Sequence, residues 1–375
     1  MDEIKINAPG KLMLSGEWSV LENDVPCIVM AINQKVYVSI KESSVITFSA
    51  KGTEMKAQAK FFDNKIILDA GEKDKEFFLF VAKSVEATIN YLIGKNITIK
   101  KFSIETNSSD TIVDLGKGKK AKIGFGSSAA IVAATVAAVL AFHEQEIQSV
   151  SAKEIIFKLG CIAHYLAQGK IGSSFDVAAS TYGGTIVYQK PDMSFVISEI
   201  ANGASIFELI QKKWPLFIAE SLKVQSEFNL SIGFVGYSAS TKELVLKLNE
   251  FKTNQKEEYN KIISKIKEIT QSLIVAINSE DKIEILSLLK RNRVLLKQLS
   301  DESKNNLETK ELALLADLAD KNGGAGKFSG AGGGDCGIAV SFDLETKQKI
   351  EEAWENNDIF VVNAGISKEG VKQIK

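Results

Sequence analysis

The sequence predicts a two-domain globular protein in which each domain mixes strands with helices. Three observations predict it. The chain is 375 residues long, which exceeds the usual span of one domain. Its composition, 45% hydrophobic and 25% charged, is that of an ordinary soluble protein. Its texture changes after Gln189-Lys190-Pro191. Before that point short strands alternate with helices; beyond it the chain is rich in Lys, Glu, Ile and Leu at helical spacing. The change puts a boundary between residues 190 and 225, taken here at 200, giving domains 1–200 and 201–375.

The elements follow in order. Residues 4–7 and 11–14 read as strands broken by Ala8-Pro9-Gly10. Residues 27–40 end in strand-like alternation, and 45–69 read as further strands with turns. A helix is expected over 77–92, alternation returns over 97–106, and a polar Lys/Gly loop spans 114–122. Helices are expected over 129–142, 152–166 and from 175, with a strand at 183–188. In the second half a strand at 228–236 precedes helices from 241 to about 300, broken near 253 and 280. A helix at 307–321, a glycine-rich loop, a strand at 336–341, a helix from 345 and a strand at 359–362 complete the pattern.

The bulk numbers exclude several functions. A net charge of −1 argues against general affinity for nucleic acid or an anionic membrane. The opening MDEIKINAPG carries acids and no apolar core, unlike a signal peptide. The longest apolar run, Ala129 to Phe142, is 14 residues, too short for a bilayer and right for a buried helix. Cys27, Cys161 and Cys336 lack metal-ligand spacing, which points to burial in a reducing, cytoplasmic setting. His143 and His164, the two histidines, lie apart and read as structural. Arg291 and Arg293 are the only arginines in a lysine-rich chain. A guanidinium fork suits carboxylate or phosphate, so this pair is a candidate anion site.

Three glycine-rich stations carry the chemistry. The first is APGKLMLSGEW, residues 8–18, where Lys11 taken alone reads as a strand-edge lysine. The second is KIGFGSSAAIVAATVAAVLAF, residues 122–142. Gly124 and Gly126 let the backbone approach a ligand closely. The helix that follows leaves its first N–H groups free at the positive end of its dipole, an anion cradle. Ser127 and Ser128 add hydroxyls, and the buried apolar helix makes the platform rigid. A plain N-cap serine explains one hydroxyl but not Gly-Phe-Gly-Ser-Ser beside Lys117, Lys119, Lys120 and Lys122. The third is NGGAGKFSGAGGGDCGIAV, residues 322–340, where seven of thirteen residues from Gly323 to Asp335 are glycine. Such a loop is entropically costly and implies a ligand or close backbone packing. A dinucleotide fingerprint is excluded because a strand, not a helix, follows the glycines.

Together the three stations resemble the motifs of the GHMP kinases: P-G-K near the N-terminus, central G-L-G-S-S-A and C-terminal G-A-G-G-G, in this order across nearly the whole chain. Within that superfamily the chain is most similar to the phosphomevalonate kinase branch, through Lys122, Ser329 to Cys336, Lys290-Arg291-Asn292-Arg293 and GYSASTKELV, residues 236–245. Phe125 and Trp18 depart from the usual leucine and from the commoner tyrosine or histidine. The resemblance implies an α+β fold of two domains, the first with a left-handed β-α-β unit, the second ferredoxin-like, with the site between them.

It also implies roles. ATP phosphates would lie on Lys122, Gly124, Gly126, Ser127, Ser128 and Ala129, with Ser128 on Mg²⁺. GKIGSSFDVAAS, residues 169–180, resembles the segment with the catalytic aspartate, making Asp176 the candidate and Lys11 its companion. Read locally, Asp176 is equally a helix-start acid that complements the dipole. Phosphomevalonate as acceptor would meet Lys11, Ser238, Ser240, Thr241, Arg291, Asn292, Arg293, Lys327, Gly332 and Gly333. On a helix, Asn292 falls amid Ile285, Leu288, Leu289, Leu296 and Leu299, with the arginines about 100° to either side. The alternative there is two surface arginines around an internally bonded Asn292. Competing activities are mevalonate kinase, diphosphomevalonate decarboxylase and a non-catalytic sensor on a kinase fold.

Overall fold

Two long strands, β1 (Ile4–Ser15) and β2 (Pro26–Glu42), pair antiparallel and form the wall on which the rest is built. The structure is a computed structural model that describes residues 3–114, 120–169, 172–237 and 241–374. β3 (Ile46–Ala50), β4 (Lys56–Phe62) and β5 (Lys65–Asp69) follow, then α1 (Glu72–Phe77), α2 (Leu79–Gly94) and β6 (Phe102–Asn107). Next come β7 (Ile112–Asp114), β8 (Lys120–Lys122), α3 (Ser127–Phe142), α4 (Val150–Gln168), α5 (Phe175–Tyr182) and β9 (Thr185–Gln189). α6 (Met193–Ala201), α7 (Ile206–Gln211) and β10 (Ile218–Ser221) close the first half. The second half runs β11 (Asn229–Phe234), α8 (Thr241–Asn254), α9 (Lys256–Asn278), α10 (Lys282–Glu302) and α11 (Lys310–Lys321). It ends with β12 (Ala325–Phe328), β13 (Cys336–Ser341), α12 (Leu344–Glu355), β14 (Phe360–Val361) and β15 (Lys372–Ile374).

The first sheet has the order β10-β9-β2-β6-β3-β4-β5, with β1 on β2 and β15 on β1. β3 and β6 run parallel, joined by a crossover through α1 and α2. The second sheet has the order β12-β13-β11-β14, antiparallel throughout. Helices separate β11 from β12 and β13 from β14, which is the ferredoxin-like β-α-β-β-α-β arrangement. Among the described residues no helix is long and apolar enough to cross a membrane.

The near-continuous apolar run of β2 has a physical cause. Cys27 and Val29 face the first core, with α2 and α3, while Ile28, Met30 and Ile32 face the second core, with α9 to α11. Leu12 and Leu14 of β1 join the second core and Met13 the first. A strand buried on both faces needs apolar residues at every position.

Two expectations change. The break at Ala8-Pro9-Gly10 is a bulge within one continuous strand, where the register shifts between Pro9 and Gly10. The bulge brings the Lys11 amide onto the Phe125 carbonyl at 2.8 Å and so ties the first glycine station to the second. The domain boundary at 200 falls too early. Leu209, Ile210 and Trp214 belong to the first core, and β10 extends the first sheet to Ser221. The chain later returns to that sheet through β15.

Candidate active site

The apolar run predicted at 129–142 is helix α3, with twelve of its sixteen residues buried, so the helix is fixed by its whole circumference. Its N-cap is Gly126, at φ +75°, a conformation that strains any residue with a Cβ. Gly126 offers no side-chain cap, and the Ser127 and Ser128 hydroxyls have no hydrogen-bond partner among the described residues. The first turn therefore presents open amides and two hydroxyls to the cleft.

Lys11 and Asp176 flank this turn. A Cβ on Gly126 would lie 3.1 Å from Lys11 Cγ and 3.6 Å from Asp176 Cβ. Lys11 Nζ donates to the Gly124 carbonyl at 3.2 Å and stands 5.7 Å over the Phe175 ring. Asp176 sits in the first turn of α5, where its Oδ1 accepts the Val177 amide at 2.9 Å. α5 is held by the Ser180 hydroxyl on the Pro9 carbonyl at 2.8 Å. Its entry is set by Ser174 at φ +55° and by Tyr188, whose hydroxyl donates to the Ser173 carbonyl at 2.6 Å. Asp176 thus sits where it complements a helix dipole, and it lines the same cleft as Lys11.

The third station folds over this pair. Ser329 exchanges two bonds with Met13, its hydroxyl accepting the Met13 amide at 2.8 Å and donating to the Met13 carbonyl at 3.0 Å. The next residue, Gly330, approaches Lys11 so closely that its Cβ would be 3.8 Å from Nζ. Gly332 leaves no room for a side chain, since a Cβ would meet the Leu307 carbonyl oxygen at 2.4 Å. The Gly333 amide donates to that same carbonyl at 2.7 Å. Asp335, at φ +65°, accepts the Gly124 amide on Oδ1 at 3.0 Å and bolts the third station to the second. β13 follows the glycines directly, which upholds the exclusion of a dinucleotide fold.

These segments enclose a cleft of about 760 Å³. Lys11, Lys122, Gly124, Gly126, Ser127, Ser128, Asp176 and Gly332 line it, as expected from the sequence. Ala129 is fully buried in the same helical turn, behind the two serines. Trp18, Leu21, Val245, Leu248 and Lys252 line the cleft as well. Lys252 there pairs with Glu22 at 2.6 Å, and the Tyr259 hydroxyl donates to the same Glu22 oxygen at 2.7 Å, which holds the carboxyl of Glu22 below its usual range despite burial. Sequence reasoning named none of Ser329, His164 and Lys252 as a site residue, yet all three line the cleft. Ser329 opens the glycine motif that runs to Cys336, and Lys252 lies on the helical pattern that starts at 241. His164 also packs against the Phe80 ring at 5.0 Å, which fits its reading as structural.

Five expected contacts are corrected. Lys327 is not a cleft cation: it is 1% exposed and ion-paired with the wholly buried Glu17. Burial pushes the Glu17 carboxyl up and the Lys327 ammonium down. Arg293 is held by Glu308 at 2.7 Å, Asp317 at 2.7 Å, Asp320 at 3.4 Å and the Ala313 carbonyl at 3.2 Å. Those bonds occupy its fork and fix α10 to α11, so it is not available as a phosphate clamp. Arg291 is exposed and Asn292 fully buried, and neither lines the cleft. Neither amide atom of Asn292 finds a hydrogen-bond partner among the described residues. Gly333 does not line the cleft but secures the loop that does. Ser238 and Ser240 lie outside the described residues, as does the side chain of Thr241.

Known proteins share this architecture. Residues 81–184 match the family model described as GHMP kinases N terminal domain, and 273–359 match GHMP kinases C terminal. A phosphomevalonate kinase from Streptomyces sp. (strain CL190) is 30% identical, covering 97% of each chain. A mevalonate kinase from Saccharolobus solfataricus is 26% identical, covering 98% of each. Among solved structures, the Lin0012 protein from Listeria innocua superposes with TM-score 0.89 at 28% identity over 100% of both chains. Streptococcus pneumoniae phosphomevalonate kinase, in complex with phosphomevalonate and AMPPNP, has TM-score 0.80 at 22% identity, covering 98% of this chain and 100% of that one.

Proposed function

This chain belongs to the GHMP kinases and is a kinase, and from that premise we propose that it transfers the γ-phosphoryl group of ATP to 5-phosphomevalonate, giving 5-diphosphomevalonate. The observation that carries the reading is the convergence of Lys11, Asp176 and the open first turn of α3 on one cleft. The acceptor is chosen from the relatives. The 30% identical protein is named a phosphomevalonate kinase, and a protein of the same fold was solved with phosphomevalonate and an ATP analogue.

In this reading the nucleotide's phosphates lie against the amides of Ser127, Ser128 and Ala129. Lys122 adds charge from the strand that leads into the loop. The donor set fits Mg²⁺ arriving with the nucleotide. Among the described residues no cluster of three acidic, His or Cys side chains forms a cage, and Mg²⁺ prefers phosphates, waters and one or two protein oxygens. The Ser128 hydroxyl and the Asp176 carboxylate are such oxygens, and the ion would neutralise phosphate charge.

Transfer forms one bond, from an acceptor phosphate oxygen to the γ-phosphorus, and breaks one, from that phosphorus to the oxygen left on ADP. A phosphate monoester has a second pKa of about 6, so the attacking oxygen is already ionised at neutral pH. Positioning and charge neutralisation then dominate over proton removal. Lys11, fixed beside Gly124 and Gly330, screens the two anions as they approach. Asp176 orients Lys11 and the acceptor.

ADP release with mevalonate, phosphomevalonate and diphosphomevalonate in parallel tests the assignment. The expected result is turnover with phosphomevalonate alone and no phosphate or CO₂ release. Turnover with mevalonate instead would establish the second reading, which the 26% identical mevalonate kinase supports.

A further inference from the structure

The structure assigns to the buried Glu17–Lys327 pair the role of a positioning device that sets the third glycine loop against Lys11. Glu17 follows β1 and Lys327 lies on β12, so the pair joins segments 310 residues apart in the chain. Both side chains are sealed from solvent, at 0% and 1% exposure. Lys327 Nζ donates to Glu17 Oε1 and, at 2.7 Å, to the Phe328 carbonyl. The other carboxylate oxygen of Glu17, Oε2, is buried with no hydrogen-bond partner among the described residues. The pair therefore grips the chain just before Ser329, whose amide donates to the Cys336 carbonyl at 3.1 Å and closes the neck.

Stability does not account for this arrangement. Desolvating two charges offsets most of their attraction, and an apolar pair of the same volume is often as stable or more so. What the ion pair adds is direction. It fixes the Phe328 backbone beside the end of β1, next to Ser329 and its two bonds to Met13, and Lys11 stands on β1 six residues before Glu17. A Cβ on Gly330 would lie 3.8 Å from Lys11 Nζ. Lys327 thus acts through Glu17 and the loop, touching neither nucleotide nor acceptor, and this role rests on phosphoryl transfer but not on which acceptor is used.

The double variant Glu17→Gln/Lys327→Met removes both charges at nearly constant volume. The expected result is a folded protein with a thermal midpoint at or above the wild-type value and KM for ATP and acceptor within about threefold. Its kcat falls by about 100-fold, the loss that a misplacement of about 1 Å causes. Amide hydrogen exchange in the 329–335 loop rises in the same variant, a readout independent of the acceptor. A folded double variant with wild-type kcat and loop protection overturns the proposal, as does a rise in KM at unchanged kcat. If the double variant is insoluble, Glu17→Gln alone serves, because Lys327 then sheds its proton in the apolar site. Failure of the wild-type enzyme on phosphomevalonate would sink the substrate reading and leave the exchange result standing.

Discussion

A carboxylate beside a lysine at a helix mouth can take a proton or hold the lysine in place, and the acceptor decides between these roles. With a phosphate acceptor, Asp176→Asn is expected to lower kcat by about 10- to 100-fold while KM values change little. The acid limb of the kcat–pH profile, set by the acceptor's second ionisation near pH 6, is expected to persist in the variant. Loss of that limb with a larger fall would instead assign proton abstraction to Asp176. At this scale the sequence exposed residue types better than their availability. Lys11 and Asp176 were legible because motif spacing ties each to a glycine turn. Lys327 and Arg293 were misread as free cations. Their carboxylate partners, Glu17 for one and Glu308, Asp317 and Asp320 for the other, are brought to them only by tertiary folding.

Helix α3 separates what holds the fold from what binds the ligand. Its N-terminal serines stabilise nothing by side-chain hydrogen bonding among the described residues, and alanine is the better helix former. Ser128→Ala is therefore expected to leave the thermal midpoint unchanged or slightly raised while weakening ATP binding by about tenfold, measured by calorimetric titration. The other end of α3 carries His143, buried with Nδ1 on the Val139 carbonyl at 2.8 Å and Nε2 accepting the Lys100 amide at 3.1 Å. Burial first, and Lys100 nearby, hold its pKa below the usual histidine value, against the opposing pull of those backbone bonds and Glu144. The unfolded chain binds that proton more readily, so stability is full above about pH 6.5 and falls as pH drops through the lowered folded value. Melting scans from pH 7.5 to 5.5 should show this fall in the wild type and a flatter response in His143→Gln. The sequence announced α3 through a 14-residue stretch that is apolar except for Thr135, but β12 was hidden inside the glycine-rich run. Gly326 owes its strand conformation to pairing with β13 and to packing where a Cβ would meet Ala316 Cα at 2.6 Å, contacts that no local pattern encodes.

Across the whole molecule, β1 and β2 serve both cores, so the two halves are not thermodynamically independent. Calorimetry is expected to show one cooperative unfolding transition, and residues 1–221 expressed alone should lack the near-ultraviolet signal of a packed core. Two separated transitions would contradict this. The two-domain organisation was legible from length and texture, but the shared wall was not, because a doubly buried strand reads like any short apolar run. Parting the halves like the covers of a book would strip water-shy surface from Leu12, Leu14, Ile28, Met30 and Ile32 together. The molecule therefore has a stiff spine.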